Sequence, residues 1–193
     1  MHVLTKYKKK TTIRLFIAAH FILFYMLIPY NSYSGNLTDE LISASENGDA
    51  AKVKDLVAKG VIVNEKDEYG STALFYAVKN KKSECVKVLV ENGADANIRN
   101  IEGYIPLTIA SNDGSTEIVK MLLNSGADPN MTGRYGWTAL MKAVVHGHFE
   151  VVEELMAKGA DPNMKNDSGT TALSIAEKLE KTEMIKLLRK ADK

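Results

Sequence analysis

Apolar residues recur in pairs three positions apart, and the pairs recur every 33 residues: Val53/Leu56, Val86/Leu89, Val119/Leu122, Val152/Leu155 and Ile185/Leu188. An i, i+3 stripe is one face of a helix. Leu41, Leu74, Leu107, Leu140 and Leu173 keep the same step and mark an earlier helix in each unit, pointing into the stack. Ala44, Ala77, Ala110, Ala143 and Ala176 accompany them. Gly60, Gly93, Gly126 and Gly159 directly follow the second stripe, where a left-handed residue closes a helix end. Such short helices cannot bury an apolar face in isolation, whereas five pairs in series make one continuous core. The pattern predicts an all-α chain of stacked helix pairs.

The segments between the pairs repeat as well. Tyr69-Gly-Ser-Thr-Ala-Leu-Phe-Tyr-Ala77, Glu102-Gly-Tyr-Ile-Pro-Leu-Thr-Ile-Ala110, Tyr135-Gly-Trp-Thr-Ala-Leu-Met-Lys-Ala143 and Asp167-Ser-Gly-Thr-Thr-Ala-Leu-Ser-Ile-Ala176 share one frame. They look like the G-x-T-P-L-H-x-A signature, and the Gly-Ala-Asp-x-Asn runs ending at Asn97, Asn130 and Asn163 look like its G-A-D-x-N partner. Over residues 37–193 the chain resembles an ankyrin repeat protein. The resemblance implies a solenoid of stacked helix pairs with short β-hairpin fingers. Its extended face suits protein binding better than catalysis.

Thr72, Thr138 and Thr171 are placed to cap the first helix of their units, whereas Ile105 has no capping oxygen and Pro106 suits a first helical position. The histidine of the family signature is replaced by Phe75, Thr108, Met141 and Ser174, which puts its inter-repeat hydrogen bonds in doubt. Both ends read as caps. Lys52 stands at a site apolar in later units, and Glu177, Lys178, Glu180, Lys181 and Lys186 make the last unit polar outside, as a terminal repeat requires. The division expected is an N-cap repeat at about 37–65, inner repeats 66–98, 99–131 and 132–164, and a C-cap repeat 165–193.

Residues 1–34 follow another pattern. Lys6, Lys8, Lys9, Lys10 and Arg14 precede the apolar run Leu15 to Ile28, and Ser32-Tyr33-Ser34 supplies small residues for cleavage before Gly35. This is the order of a secretory signal peptide. The 14 residues of this run span roughly 21 Å as a helix, short of a ~30 Å hydrocarbon core. Secretion, into a bacterial periplasm or beyond, is therefore the expectation, with an uncleaved inner-membrane anchor as the alternative. Without the signal, 20 basic residues face 24 acidic ones, a net charge of −4. The charges are interspersed, with no basic stripe for nucleic acid.

Candidates for chemistry are few. Cys85, the single cysteine, stands where later units carry Ile118, Val151 and Met184, so it reads as a small buried hydrophobe. His146 and His148 are two residues apart without a third ligand nearby, too little for a metal site. Asp95, Asp128 and Asp161 are one repeat apart and read as acceptors for loop amides. No catalytic residue, metal site or cofactor is predicted, and the chain is expected to be monomeric.

The ankyrin resemblance places partner contacts on the finger tips and the exposed side of the first helix. Position by position that face carries Tyr69 and Ser71, then Ile101 and Tyr104, then Arg134, Tyr135, Trp137 and His146. Tyr, Trp and Arg dominate interface hot spots. The expected function is a non-catalytic scaffold that binds and modulates a partner protein, centred on the third and fourth fingers. Tethering by an uncleaved anchor and action as a host-directed effector are the alternatives.

Overall fold

A computed structural model describes residues 37–189. The proposed signal segment lies outside them. Within them the chain forms α1 (37–47), α2 (Ala50–Ala58), α3 (Ala73–Lys79), α4 (Ser83–Glu91), α5 (Pro106–Asn112) and α6 (Thr116–Asn124). There follow a 3₁₀ turn at Arg134–Gly136, then α7 (Ala139–His146), α8 (Phe149–Ala157), α9 (Ala172–Lys178) and α10 (Thr182–Arg189). The helices pair as the stripes require. The first helices stack α3 on α5 on α7 on α9, and the second helices stack α2 on α4 on α6 on α8 on α10. No strand occurs among the described residues, so the fingers are turns rather than the β-hairpins expected. Each finger is closed by a backbone bond at its base: Asp67 N to Ser71 O, Asn100 N to Tyr104 O, Gly133 N to Trp137 O and Asn166 N to Thr170 O.

Local chemistry sets the helix ends. Thr72, Thr138 and Thr171 accept from the amides of Phe75, Met141 and Ser174, while α5 starts at Pro106 with no side-chain cap. After α2, α4, α6 and α8 the chain turns through left-handed glycines, and Val61, Ala94, Ala127 and Ala160 donate back to the carbonyls of Leu56, Leu89, Leu122 and Leu155. These bonds satisfy carbonyls that the helix leaves without partners.

The core is the two predicted stripes. Leu41, Leu74, Leu107 and Leu140 are buried, as are all the Val/Leu pairs from Val53 to Leu155. In the last pair Leu188 is buried, but Leu173 and Ile185 are only half-buried because no later helix pair covers them among the described residues. Cys85 is fully buried, and burial raises its thiol pKa, in keeping with an inert packing role.

The units are also tied by a polar ladder. Asn64 donates to Gly93 O and accepts from Asp95 N; Asn97 does the same with Gly126 and Asp128, and Asn130 with Gly159 and Asp161. The aspartates in turn accept from the amides of Asn97, Asn130 and Asn163. The ladder supplies inter-repeat bonds where the signature histidine is missing. At a typical ~1 kcal/mol net per hydrogen bond, each rung is a modest contribution, repeated.

Candidate functional site

Fingers two, three and five are built alike. Asp67, Asn100 and Asn166 each accept from two backbone amides, two and four residues ahead: Tyr69 and Ser71, Glu102 and Tyr104, Ser168 and Thr170. Such Asx acceptors hold a turn without help from elsewhere. In finger four that position is Gly133, which has no side chain to accept with. The finger keeps the backbone bond from Gly136 N to Gly133 O that the other fingers also make, and adds one from Trp137 N to Arg134 O, in a 3₁₀ turn with Tyr135 at φ 58° and ψ 29°. A tyrosine in the left-handed region carries local strain that the surroundings must hold.

The finger junctions differ in the same place. Ile101 N donates to Tyr69 O, joining fingers two and three, and Asp167 N donates to Tyr135 O, joining four and five. No corresponding bond joins fingers three and four among the described residues. A cavity of about 150 Å³ opens there, lined by Tyr104, Thr108, Gly133, Arg134, Tyr135, Trp137 and Lys142. Small-molecule sites run roughly 300–1,000 Å³, so this one is sized for a side chain rather than a cofactor.

Its electrostatics are one-sided. The Arg134 guanidinium lies 4.7 Å from the Tyr135 ring centre and donates to Tyr135 Oη at 2.7 Å. The hydroxyls of Tyr104 and then Tyr135 stabilise its charge further. Lys142 Nζ sits 4.8 Å from the centre of the Trp137 ring. Neither cation makes an ion pair among the described residues, as is true of most basic side chains there. No acidic residue lines the cavity.

The residues expected on the partner face fall into three groups. Tyr104, Arg134, Tyr135 and Trp137 meet at the cavity, Tyr104 and Trp137 half-buried and Tyr135 61% exposed. Tyr69 and Ile101 stand free on the neighbouring tips, 55% and 72% exposed. His146 is exposed at the end of α7, outside the cavity, its ring stacked on His148 with centroids 6.1 Å apart. His148 Nε2 lies 3.0 Å from Asn112 O, the interaction of a structural histidine. Ser71 does not belong to the face: it is buried, and its hydroxyl accepts from Asn100 Nδ2 of the next finger.

Gly133, Thr108 and Lys142 were absent from the sequence reading of the site. Gly133 was legible, since it alone breaks the Asp67, Asn100, Asn166 series at a 33-residue step. Among the described residues, no cluster of three or more histidine, cysteine, aspartate or glutamate side chains is placed to hold a metal ion. No helix among them is long and apolar enough to cross a membrane.

A family model described as ankyrin repeats in three copies matches residues 15–100, 41–133 and 107–193. The chain belongs to the ankyrin repeat family. No curated relative matches it. Ankyrin repeats generally serve as scaffolds for protein–protein interaction and are typically non-catalytic. In this ankyrin protein the Asx acceptor, present in the other described fingers from two to five, is missing in finger four, and the cavity opens beside it.

Proposed function

We propose that this ankyrin protein is an exported, non-catalytic scaffold that binds a partner protein through its finger face and modulates it. The observation that carries the reading is the row of large side chains left in solvent on successive fingers: Tyr69, Ile101 and Tyr135. A folded monomer gains nothing from exposing such a row, and aromatic side chains beside an arginine are typical interface anchors. The basic, apolar and small-residue order of residues 1–34 supports export.

The face is tested by the double variant Tyr135→Ala/Trp137→Ala. Both side chains lie outside the buried core, so the variant keeps its helical circular dichroism. A partner recovered from the exporting compartment by the parent protein binds it at least roughly thirtyfold more weakly, since each lost anchor costs about 2 kcal/mol or more. Normal binding by the folded variant would place the face elsewhere. Mass spectrometry of the secreted product separates a free scaffold, starting at Gly35, from a membrane-tethered one that keeps the apolar run.

A further inference from the structure

The cavity between fingers three and four has an assignable occupant. We infer that it receives a side-chain carboxylate from an acidic segment of the partner, held between Arg134 and Lys142, while an apolar neighbour on that segment packs on Tyr135 and Ile101. This rests on the proposed finger-face reading and gives it a chemistry.

Three independent observations converge on the site. The first is charge: two cations border one cavity that no acidic residue lines, each faced by an aromatic ring and neither paired with a carboxylate among the described residues. The acid of finger five, Asp167, packs against Gly136 and does not line the cavity. The protein without its signal segment carries net negative charge, so an acidic segment needs a local concentration of cations, which Arg134 and Lys142 supply at the cavity.

The second is space. Gly133 has φ −89°, which any residue adopts, so its glycine answers to room rather than to backbone conformation. A Cβ there would sit 3.3 Å from Gly103 O and 3.5 Å from Thr108 Cγ2, and both Thr108 and Gly133 are cavity-lining residues. The third is the strained backbone of Tyr135, in the one finger without an Asx acceptor. Strain held at a rim of unpaired cations and exposed rings is where binding geometry is stored. Arg134 offers a planar fork of five donors, part of it engaged by the Tyr104 and Tyr135 hydroxyls, and the remaining donors suit a carboxylate. Lys142 adds a point charge across the cavity.

Trp137 is the only tryptophan, so its emission reports directly on the cavity. The probes are an acetylated and amidated peptide alternating glutamate with leucine, and the same peptide with glutamine in place of glutamate. The blocked ends leave side-chain carboxylates as the only difference. The acidic peptide is expected to shift Trp137 emission and its indole N–H resonance, and to bind at least about tenfold more tightly than the glutamine peptide, the advantage shrinking with added salt. Arg134→Gln/Lys142→Gln is expected to remove that advantage while keeping the helical signal. Lys81→Gln/Lys120→Gln, which removes two cations outside the cavity, is expected to keep it and shows whether general charge is responsible.

Equal binding of the two peptides overturns the inference, as does an acidic advantage that survives Arg134→Gln/Lys142→Gln. Absence of any response of Trp137 up to about 1 mM peptide, an affinity near −4 kcal/mol, also overturns it. The finger-face reading fails separately. A partner that is lost with Tyr135→Ala/Trp137→Ala, yet is indifferent to Arg134→Gln/Lys142→Gln, keeps the face and sinks the carboxylate.

Discussion

Tyr76 shows how one side chain's setting becomes a pH dependence. It stands on α3 with its hydroxyl donating to Asp67 Oδ2 at 2.7 Å, tying the first helix to the base of finger two. Burial first, and the Asp67 carboxylate next, push its phenol from 10.0 up to about 12. The protonated form is the one the fold favours. Its contribution is therefore complete below about pH 10 and is lost as pH rises through about 12. Tyr76→Phe removes the hydroxyl and costs about 1 kcal/mol at neutral pH. Urea unfolding of parent and variant should show a stability gap that narrows between about pH 10 and pH 12. A constant gap would mean that the tyrosine ionises equally in both states. None of this was legible at residue 76 alone, because the aspartate that meets it stands nine residues away, at the base of the finger.

The turn between the paired helices repeats Gly48, Lys81, Gly114, Gly147 and Glu180, all with positive φ. Three are glycines, for which that conformation carries no steric cost, and two are not. What surrounds each turn then decides what a side chain would do. A Cβ on Gly114 would lie 2.5 Å from His148 Nδ1, in a ring whose other nitrogen meets Asn112 O. At Gly147 the nearest group is Lys181 Nζ at 3.0 Å, the far end of a flexible chain. Both Gly→Ala changes take on left-handed strain of about 1 kcal/mol, but only Gly114→Ala also displaces a held ring. Chemical denaturation should rank Gly114→Ala as the more destabilising, by about 1 kcal/mol or more over Gly147→Ala. Adding His148→Ala to Gly114→Ala should remove most of the excess. Equal costs would mean that the histidine moves freely. The 33-residue step announces that these turns are equivalent; the contacts that make them unequal come from the next unit, 34 residues on.

Across the molecule, stability is a sum of helix pairs and of the interfaces between neighbours. Leu122 on α6 is fully buried, with units on both sides. Leu122→Ala is expected to cost about 2–5 kcal/mol, as buried leucine truncations do. Because it weakens the middle of a linear array, helical circular dichroism and Trp137 emission should lose their common midpoint in the variant. An unchanged midpoint would show that Leu122 is not in the core.

The sequence by itself determined the repeat, the two helices of each unit, their caps and the apolar faces they bury. All of these follow from residues a few positions apart, repeated at one period, so that local chemistry and register suffice. It also placed Tyr104, Arg134, Tyr135 and Trp137 on the finger side, since each occupies a matched position in that period. Only the tertiary structure decided that Ser71 is covered, that Lys142 joins Trp137, and that fingers three and four part to leave a cavity. Those outcomes depend on which side chain of one unit meets which backbone of the next. Gly133 is the exchange between the two levels: one missing side chain in the sequence, and in space a finger without its Asx acceptor and a left-handed tyrosine beside the cavity.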